Sequence, residues 1–135
     1  MALYNPNFES IGSAFVSHYY SKFDVPDGTA RAQGLADLYD VENSYMTFEG
    51  AQAKGKEQIL AKFCALPFKA IQRGITKSDC QPCADGSVLV TVLGQLKTDD
   101  DPVQSYNHTF ILRPTPNGAS FFISNEIFRL VLHNL

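Results

Sequence analysis

Near the N-terminus, Phe8, Ile11, Phe15, Tyr19 and Phe23 recur at intervals of three and four. That spacing lays one apolar stripe along a helix and predicts one from about Pro6 to Phe23. Asn5 is the expected N-cap, Pro6 suits the first helical position, and Glu9 complements the positive end of the helix dipole. Val25-Pro26-Asp27-Gly28 breaks the pattern. A second, shorter helix is expected from Thr29 or Ala30 to about Tyr39, burying Leu35, Leu38 and Tyr39, with Gly34 weakening it. Ser44 to Phe48 reads as a strand that ends at Glu49-Gly50. A third helix, from about Lys56 to Leu66, turns Ile59, Leu60, Phe63 and Leu66 inward and stops at Pro67.

From there the period shortens to two. Strands are expected at Ala70 to Thr76, Ser87 to Lys97, Gln104 to Arg113, and Ala119 to about His133. Asn117-Gly118 marks a hairpin, and the segment around Asp99 to Pro102 joins the preceding pair. Helices followed by an antiparallel meander predict a single α+β domain over residues 1–135, with three helices from the N-terminal half packed on one face of a bent sheet. Both faces of the long strands carry apolar residues. In the last strand Phe122, Phe128, Leu130 and Leu132 fall on one side, and Phe121, Ile123, Ile127 and Val131 on the other. A one-layer antiparallel sheet normally leaves one face to water, and helices cover only one. The second face is therefore expected to meet another copy in a two-fold dimer, unless a loop or longer helix covers it.

Composition narrows the functional classes. With 135 residues, 44% hydrophobic and 19% charged, the chain can build one core and is not a disordered polymer. A net charge of −3 leaves no footprint for nucleic acid or an anionic membrane, and it favours a basic partner. The first residues do not read as a signal peptide, and no apolar run is long enough to span a bilayer. Cys64, Cys80 and Cys83 are an odd set without an export signal, which points to a reducing compartment.

Few constellations suggest chemistry. Asp99, Asp100 and Asp101 cluster at a turn before Pro102, where they serve either as a solvated tip or as a docking point for Lys or Arg. They lack the spaced ligands of a calcium loop. Phe48-Glu49-Gly50 reads as core ring, exposed acid and turn glycine, or as an aromatic and a carboxylate on a pocket rim. Cys80-Gln81-Pro82-Cys83 reads as an ordinary loop, since no helix follows it and no further ligands accompany it. His18, His108 and His133 are scattered, and only His108, alternating with Tyr106 and Phe110, is placed to face a core or cavity. No nucleophile elbow, phosphate loop or dinucleotide fingerprint is present, so no catalytic residue, metal or cofactor is expected.

Several segments together resemble the nuclear transport factor 2 family. They are Ile11-Gly12-Ser13-Ala14-Phe15, His18-Tyr19-Tyr20, Leu66-Pro67-Phe68, Gly94-Gln95-Leu96-Lys97, Asp101-Pro102, Phe128-Arg129-Leu130 and Leu132-His133-Asn134. The resemblance implies a cone-like α+β fold around an apolar cavity and a homodimer formed through the open sheet faces. It implies a nuclear import carrier for the GDP-bound form of the small GTPase Ran, working between cytoplasm and nucleus and concentrated at the nuclear pore. By motif, Ran would meet Glu49, Asp99 and Asp101 at the rim, Phe48 at the cavity mouth, and Leu66 and Ile71 on its lining. FG-repeat nucleoporins would meet Phe8. Phe48 and Phe8 stand where some members carry Trp, and Arg73 where a histidine is usual. Enzymes such as ketosteroid isomerase and scytalone dehydratase share this fold. The competing expectation is therefore a small-molecule site built on Tyr19, Tyr106 and His108.

Overall fold

A computed structural model describes residues 3–132. The helices are α1 (Phe8–Phe23), α2 (Gly28–Leu35) and α3 (Gly55–Cys64), with a 3-10 turn, Ala36–Leu38, after α2. The strands are β1 (Tyr45–Phe48), β2 (Ala51–Lys54), β3 (Ile71–Pro82), β4 (Val88–Thr98), β5 (Gln104–Pro114) and β6 (Phe121–Leu130). They form one sheet in the order β2-β1-β6-β5-β4-β3. The family's α+β architecture is therefore present, with one correction to the expected antiparallel sheet. β3 to β6 make the antiparallel meander and β1 pairs antiparallel with β2, but β1 runs parallel to β6, so the sheet is mixed. β2, α3 and the strands β3 to β5 separate β1 from β6 in sequence, and so long a connection permits a parallel pair that a short turn does not.

Other differences have local causes. The first helix starts at Phe8 and not at Pro6, because Asn5 Oδ1 accepts the Asn7 amide at 2.8 Å and holds the entry in a turn. Asp27 caps α2 by accepting from the Ala30 amide. Glu49-Gly50 does not end a lone strand. Both residues take positive φ, 51° and 85°, and close a two-residue hairpin into β2. β3 does not stop at Thr76 but passes a bulge there and continues beside β4 to Pro82. Cys80 and Pro82 are thus strand residues and not loop residues. Pro82 is tolerated because β3 is an edge. All three cysteines are free.

The inner face of the sheet carries Val88, Val90, Val92, Phe110 and Phe128 against α1, with Phe63 of α3 closing the other side. Alternation along β6 is broken by a second bulge. Leu112 pairs with Ile123 and Ile111 with Asn125, leaving Ser124 as the extra residue. That insertion moves Ile123 onto the inner face, where it is 0% exposed while Ile127 on the outer face is 52% exposed. The expected grouping of Ile123 with Ile127 is corrected accordingly. The outer face remains open, with Tyr45, Leu93 and Ile127 exposed on it. His133 and the two residues after it lie outside the described residues.

Gly94 lets β3, β4 and the Tyr106 ring approach one another. A Cβ there would sit 2.6 Å from the Gly74 carbonyl oxygen and 2.8 Å from the Tyr106 hydroxyl. Gly94→Ala should therefore lower stability by roughly 1–3 kcal/mol through overpacking. Urea unfolding checks this, and an unchanged midpoint would contradict the close approach.

Candidate functional site

Residues from six elements and two connecting segments line a cavity of about 150 Å³ at one end of the sheet. α1 contributes Phe23, β1 Phe48, and the segment after α3 Leu66 and Phe68. Ile71 and Arg73 come from β3, Leu96 and Thr98 from β4, Gln104 and His108 from β5, and Phe128 and Leu130 from β6. Glu49, in the β1–β2 turn, stands at its edge. Period two explains the strand contributions. Phe48, Phe128, His108 and Val92 lie in one register row, and Leu130, Tyr106 and Gly94 in the next. Phe48 stacks on Phe128 with centroids 4.6 Å apart and meets Phe63 edge-on at 5.9 Å, so its ring is fixed as a wall.

The sequence-derived candidates divide here. Phe48, Glu49, Leu66 and Ile71 come together on the cavity. Asp99 and Asp101 sit on the exposed β4–β5 turn next to Thr98, a lining residue, but do not themselves line it. Asp99 also has a local task. It takes φ 52°, and its Oδ1 accepts the Lys69 and Ala70 amides at 2.9 Å each, tying the Leu66–Phe68 segment to that turn. Glu49 Oε1 accepts the Leu130 amide at 2.6 Å. Each carboxylate keeps its second oxygen for solvent or a partner. Phe8 lies apart, half-buried at the start of α1 against the core.

Two polar assemblies back the apolar walls. Arg73 grips Asp24 with Nε and Nη2 at 2.8 and 2.7 Å, and its guanidinium lies 4.0 Å over the Tyr20 ring. Burial opposes its charge, but Asp24 overrides this and raises the pKa. In the second assembly, Glu126, 1% exposed, accepts from Tyr19 and Tyr39 at 2.5 Å each and from His108 Nε2 at 2.7 Å. His108 Nδ1 meets the Tyr20 hydroxyl at 2.9 Å. Burial, followed by the nearby Glu126 charge, raises the pKa of Tyr19 and Tyr39, which keeps both phenols as donors. A neutral His108 that donates from Nε2 and accepts at Nδ1 satisfies every partner in the chain.

Sequence reading passed over Glu126 and Asp24. Glu126 had a readable signal, since it alternates with Phe128 and Leu130 and so faces inward. Asp24 had none, because its partner is on a distant strand. Of the three residues on which the enzyme reading rests, two are committed to one another's network and the third, Tyr106, keeps a buried hydroxyl with no hydrogen-bond partner. Tyr19 and His108 are bound to Glu126, and neither His108 nitrogen is left to act on a substrate. Among the described residues no cluster of three or more His, Cys, Asp or Glu is placed to hold a metal, and no helix is long and apolar enough to cross a membrane.

Burial lowers the His108 pKa from its ordinary 6.5, outweighing Glu126, which works the other way. As pH falls below that value the unfolded chain binds a proton that the folded chain refuses, so stability falls with pH until the folded pKa is passed. The urea midpoint should therefore drop between about pH 7 and about pH 5. His108→Gln, which retains a donor and an acceptor, should show a shallower drop. Equal slopes would assign the pH dependence elsewhere.

The family model, the curated relatives and a solved structure point to one family. The model of the nuclear transport factor 2 domain matches residues 11–130. The chain is 64% identical over 131 residues to a probable nuclear transport factor 2 of Caenorhabditis elegans, covering 97% of this chain and 98% of that one. It is 43% identical to nuclear transport factor 2B of Arabidopsis thaliana, covering 90% and 93%. Among solved structures, nuclear transport factor 2 of Cryptosporidium parvum superposes with a TM-score of 0.82 at 37% identity, covering 95% and 98%.

Proposed function

Because this chain belongs to the nuclear transport factor 2 family, and so is a nuclear transport carrier and not an enzyme, we propose that its cargo is the GDP-bound form of Ran, held at the apolar cavity and carried from cytoplasm to nucleus. The observation that carries this reading is the joining of Phe48, Glu49, Leu66 and Ile71 on one cavity of about 150 Å³. A cavity of roughly that size holds one benzene ring, which fits a single aromatic side chain inserted by a partner. Burying that ring contributes about 1.5–3 kcal/mol. Glu49 at the edge, with Asp99 and Asp101 on the neighbouring turn, supplies negative charge that orients a basic surface around the inserted ring. This reading requires that Ran's GDP form, and not its GTP form, present an aromatic ring and a basic group at the spacing of the cavity and its rim.

The open sheet face supports a homodimer. Tyr45, Leu93 and Ile127 are 51%, 46% and 52% exposed on it, with half-buried Leu89 and Ile111 beside them. Two chains double the number of sites available to FG-repeat nucleoporins, whose weak contacts at Phe8 then sum by effective concentration. Such contacts would concentrate the carrier at the nuclear pore.

Wild-type protein should retain GDP-loaded Ran and not GTP-loaded Ran in a pull-down. Glu49→Lys should abolish that retention while sedimenting as the same two-chain species. Equal binding of both nucleotide forms removes the cargo assignment, unchanged binding by Glu49→Lys removes the rim contact, and a wild type that sediments as one chain removes the dimer. Phe8→Ala should reduce retention on FG-repeat beads and leave Ran binding intact. Loss of Ran binding with normal bead retention would reverse the assignment of Phe8.

A further inference from the structure

The largest side chain fully sealed from water is a cation, Arg31 of α2, at 0% exposed. Among the described residues it forms no ion pair. Its guanidinium donates instead to three backbone carbonyls: Nε to Phe23 at 2.9 Å, Nη1 to Phe63 at 2.8 Å and Nη2 to Val25 at 2.7 Å. Phe23 ends α1 and Phe63 lies in the last turn of α3, so two helices turn carbonyls that lack intrahelical partners, and their negative dipole ends, on one cation. The faces of the fork are left for rings. Its central carbon lies 4.2 Å from the centroid of Phe68 and 5.5 Å from that of Phe23, and both rings line the cavity. The two rings differ in what else holds them. Phe23 is carried by α1, and Arg73 also reaches it at 5.5 Å. Phe68 stands in a segment without helix or strand, and its contact with Phe23 is loose, with centroids 6.3 Å apart. Asp99 ties the backbone that follows, at Lys69 and Ala70, but acts on amides and not on the ring.

We propose that Arg31 is a positioning residue of the cavity: from behind the wall it holds the Phe68 ring where an inserted aromatic ring meets it. This rests on the cavity being the docking site, and it adds a residue that touches no partner. The reason is pre-organisation. A wall ring that swings freely must be ordered when a partner's ring enters, and that ordering subtracts from affinity. A ring stacked on a desolvated guanidinium is ordered beforehand. The requirement is for the plane and not only for the charge. Lysine would keep the cation, but a point charge on a flexible stem cannot bond three carbonyls and underlie a ring at once. The competing role is that of a staple between α1 and α3, with the ring contact incidental.

Arg31→Lys and Phe68→Leu, alone and together, separate the two roles. In the free chain, aromatic NMR should show the Phe68 ring signals of Arg31→Lys moving toward those of a solvent-exposed phenylalanine. Ring signals that stay in place overturn the proposal, whether or not Ran binds. GDP-loaded Ran should leave Arg31→Lys about ten-fold faster than wild type, the size of a lost desolvated cation–ring contact. Phe68→Leu should release Ran at a similar rate, and the double variant no faster, since Arg31 acts through that ring. A staple predicts a lower urea midpoint for Arg31→Lys with Ran dissociation unchanged where the variant is fully folded, and that result overturns the proposal. An equal acceleration by Arg31→Lys with and without the Phe68 ring overturns it too. If Arg31→Lys does not fold, the Arg31 Nε–H resonance decides the matter. Stacking on a ring shifts it upfield in wild type, and the shift should vanish in Phe68→Leu, which leaves the three carbonyl bonds in place. The same resonance position in both proteins overturns the contact. If wild type fails to hold GDP-loaded Ran, the cargo reading falls and the Phe68 ring signals alone judge Arg31.

Discussion

A carboxylate removed from water must be matched by donors, and Glu126 is matched from three directions. Tyr19 reaches it from α1, Tyr39 from the segment after α2, and His108 from β5. Taking such an ion out of water costs several kcal/mol, and removing a partner afterwards leaves that cost uncompensated. The elements carrying those partners are therefore held in one arrangement. Apolar packing alone allows α1 to slide or rotate on a smooth sheet surface, whereas the hydrogen bonds of Tyr19 to Glu126 and of Tyr20 to His108 give it two directed attachments to the sheet. That placement carries Tyr20 onto His108 and sets Phe23 and Asp24 at the end of α1 beside β3. The cavity wall is a consequence of this anchoring.

The cavity combines apolar depth with charge arranged at its borders. Arg73 is paired with Asp24, so its cation adds little to the long-range field, while Glu49 and the aspartates of the β4–β5 turn stand on the mouth side, with the Arg129 guanidinium beside Gly50. A carrier benefits from this division. In the proposed docking mode, charge at the edge would speed encounter and orient the partner, and a single buried ring would add a modest apolar contribution. Neither term is large enough alone to make release slow. Glu126 and His108 are committed to hydrogen bonds with one another and with Tyr19, Tyr39 and Tyr20, so both serve to hold the elements together.

Much of this was legible in one dimension. The helical stripe from Phe8 to Phe23, the alternation along β4 and β5, and the turn residues are local patterns set by backbone geometry, so sequence alone predicts an α+β domain with helices before a meander. The motifs also pointed to Phe48, Glu49, Leu66 and Ile71 before the structure placed them on one cavity. What sequence could not determine depends on pairing between distant segments. The parallel contact of β1 with β6, the bulge that turns Ile123 inward, and the extension of β3 through Cys80 are each decided by a partner strand. The same holds for charge. Asp99 looks like a free acid in sequence, but the fold commits one of its oxygens to the Lys69 and Ala70 amides. Arg73 is marked in sequence only as standing where a histidine is usual, and the fold buries it beside Asp24. Periodicity records which face a residue occupies, and only tertiary contact decides which of its polar atoms remain free.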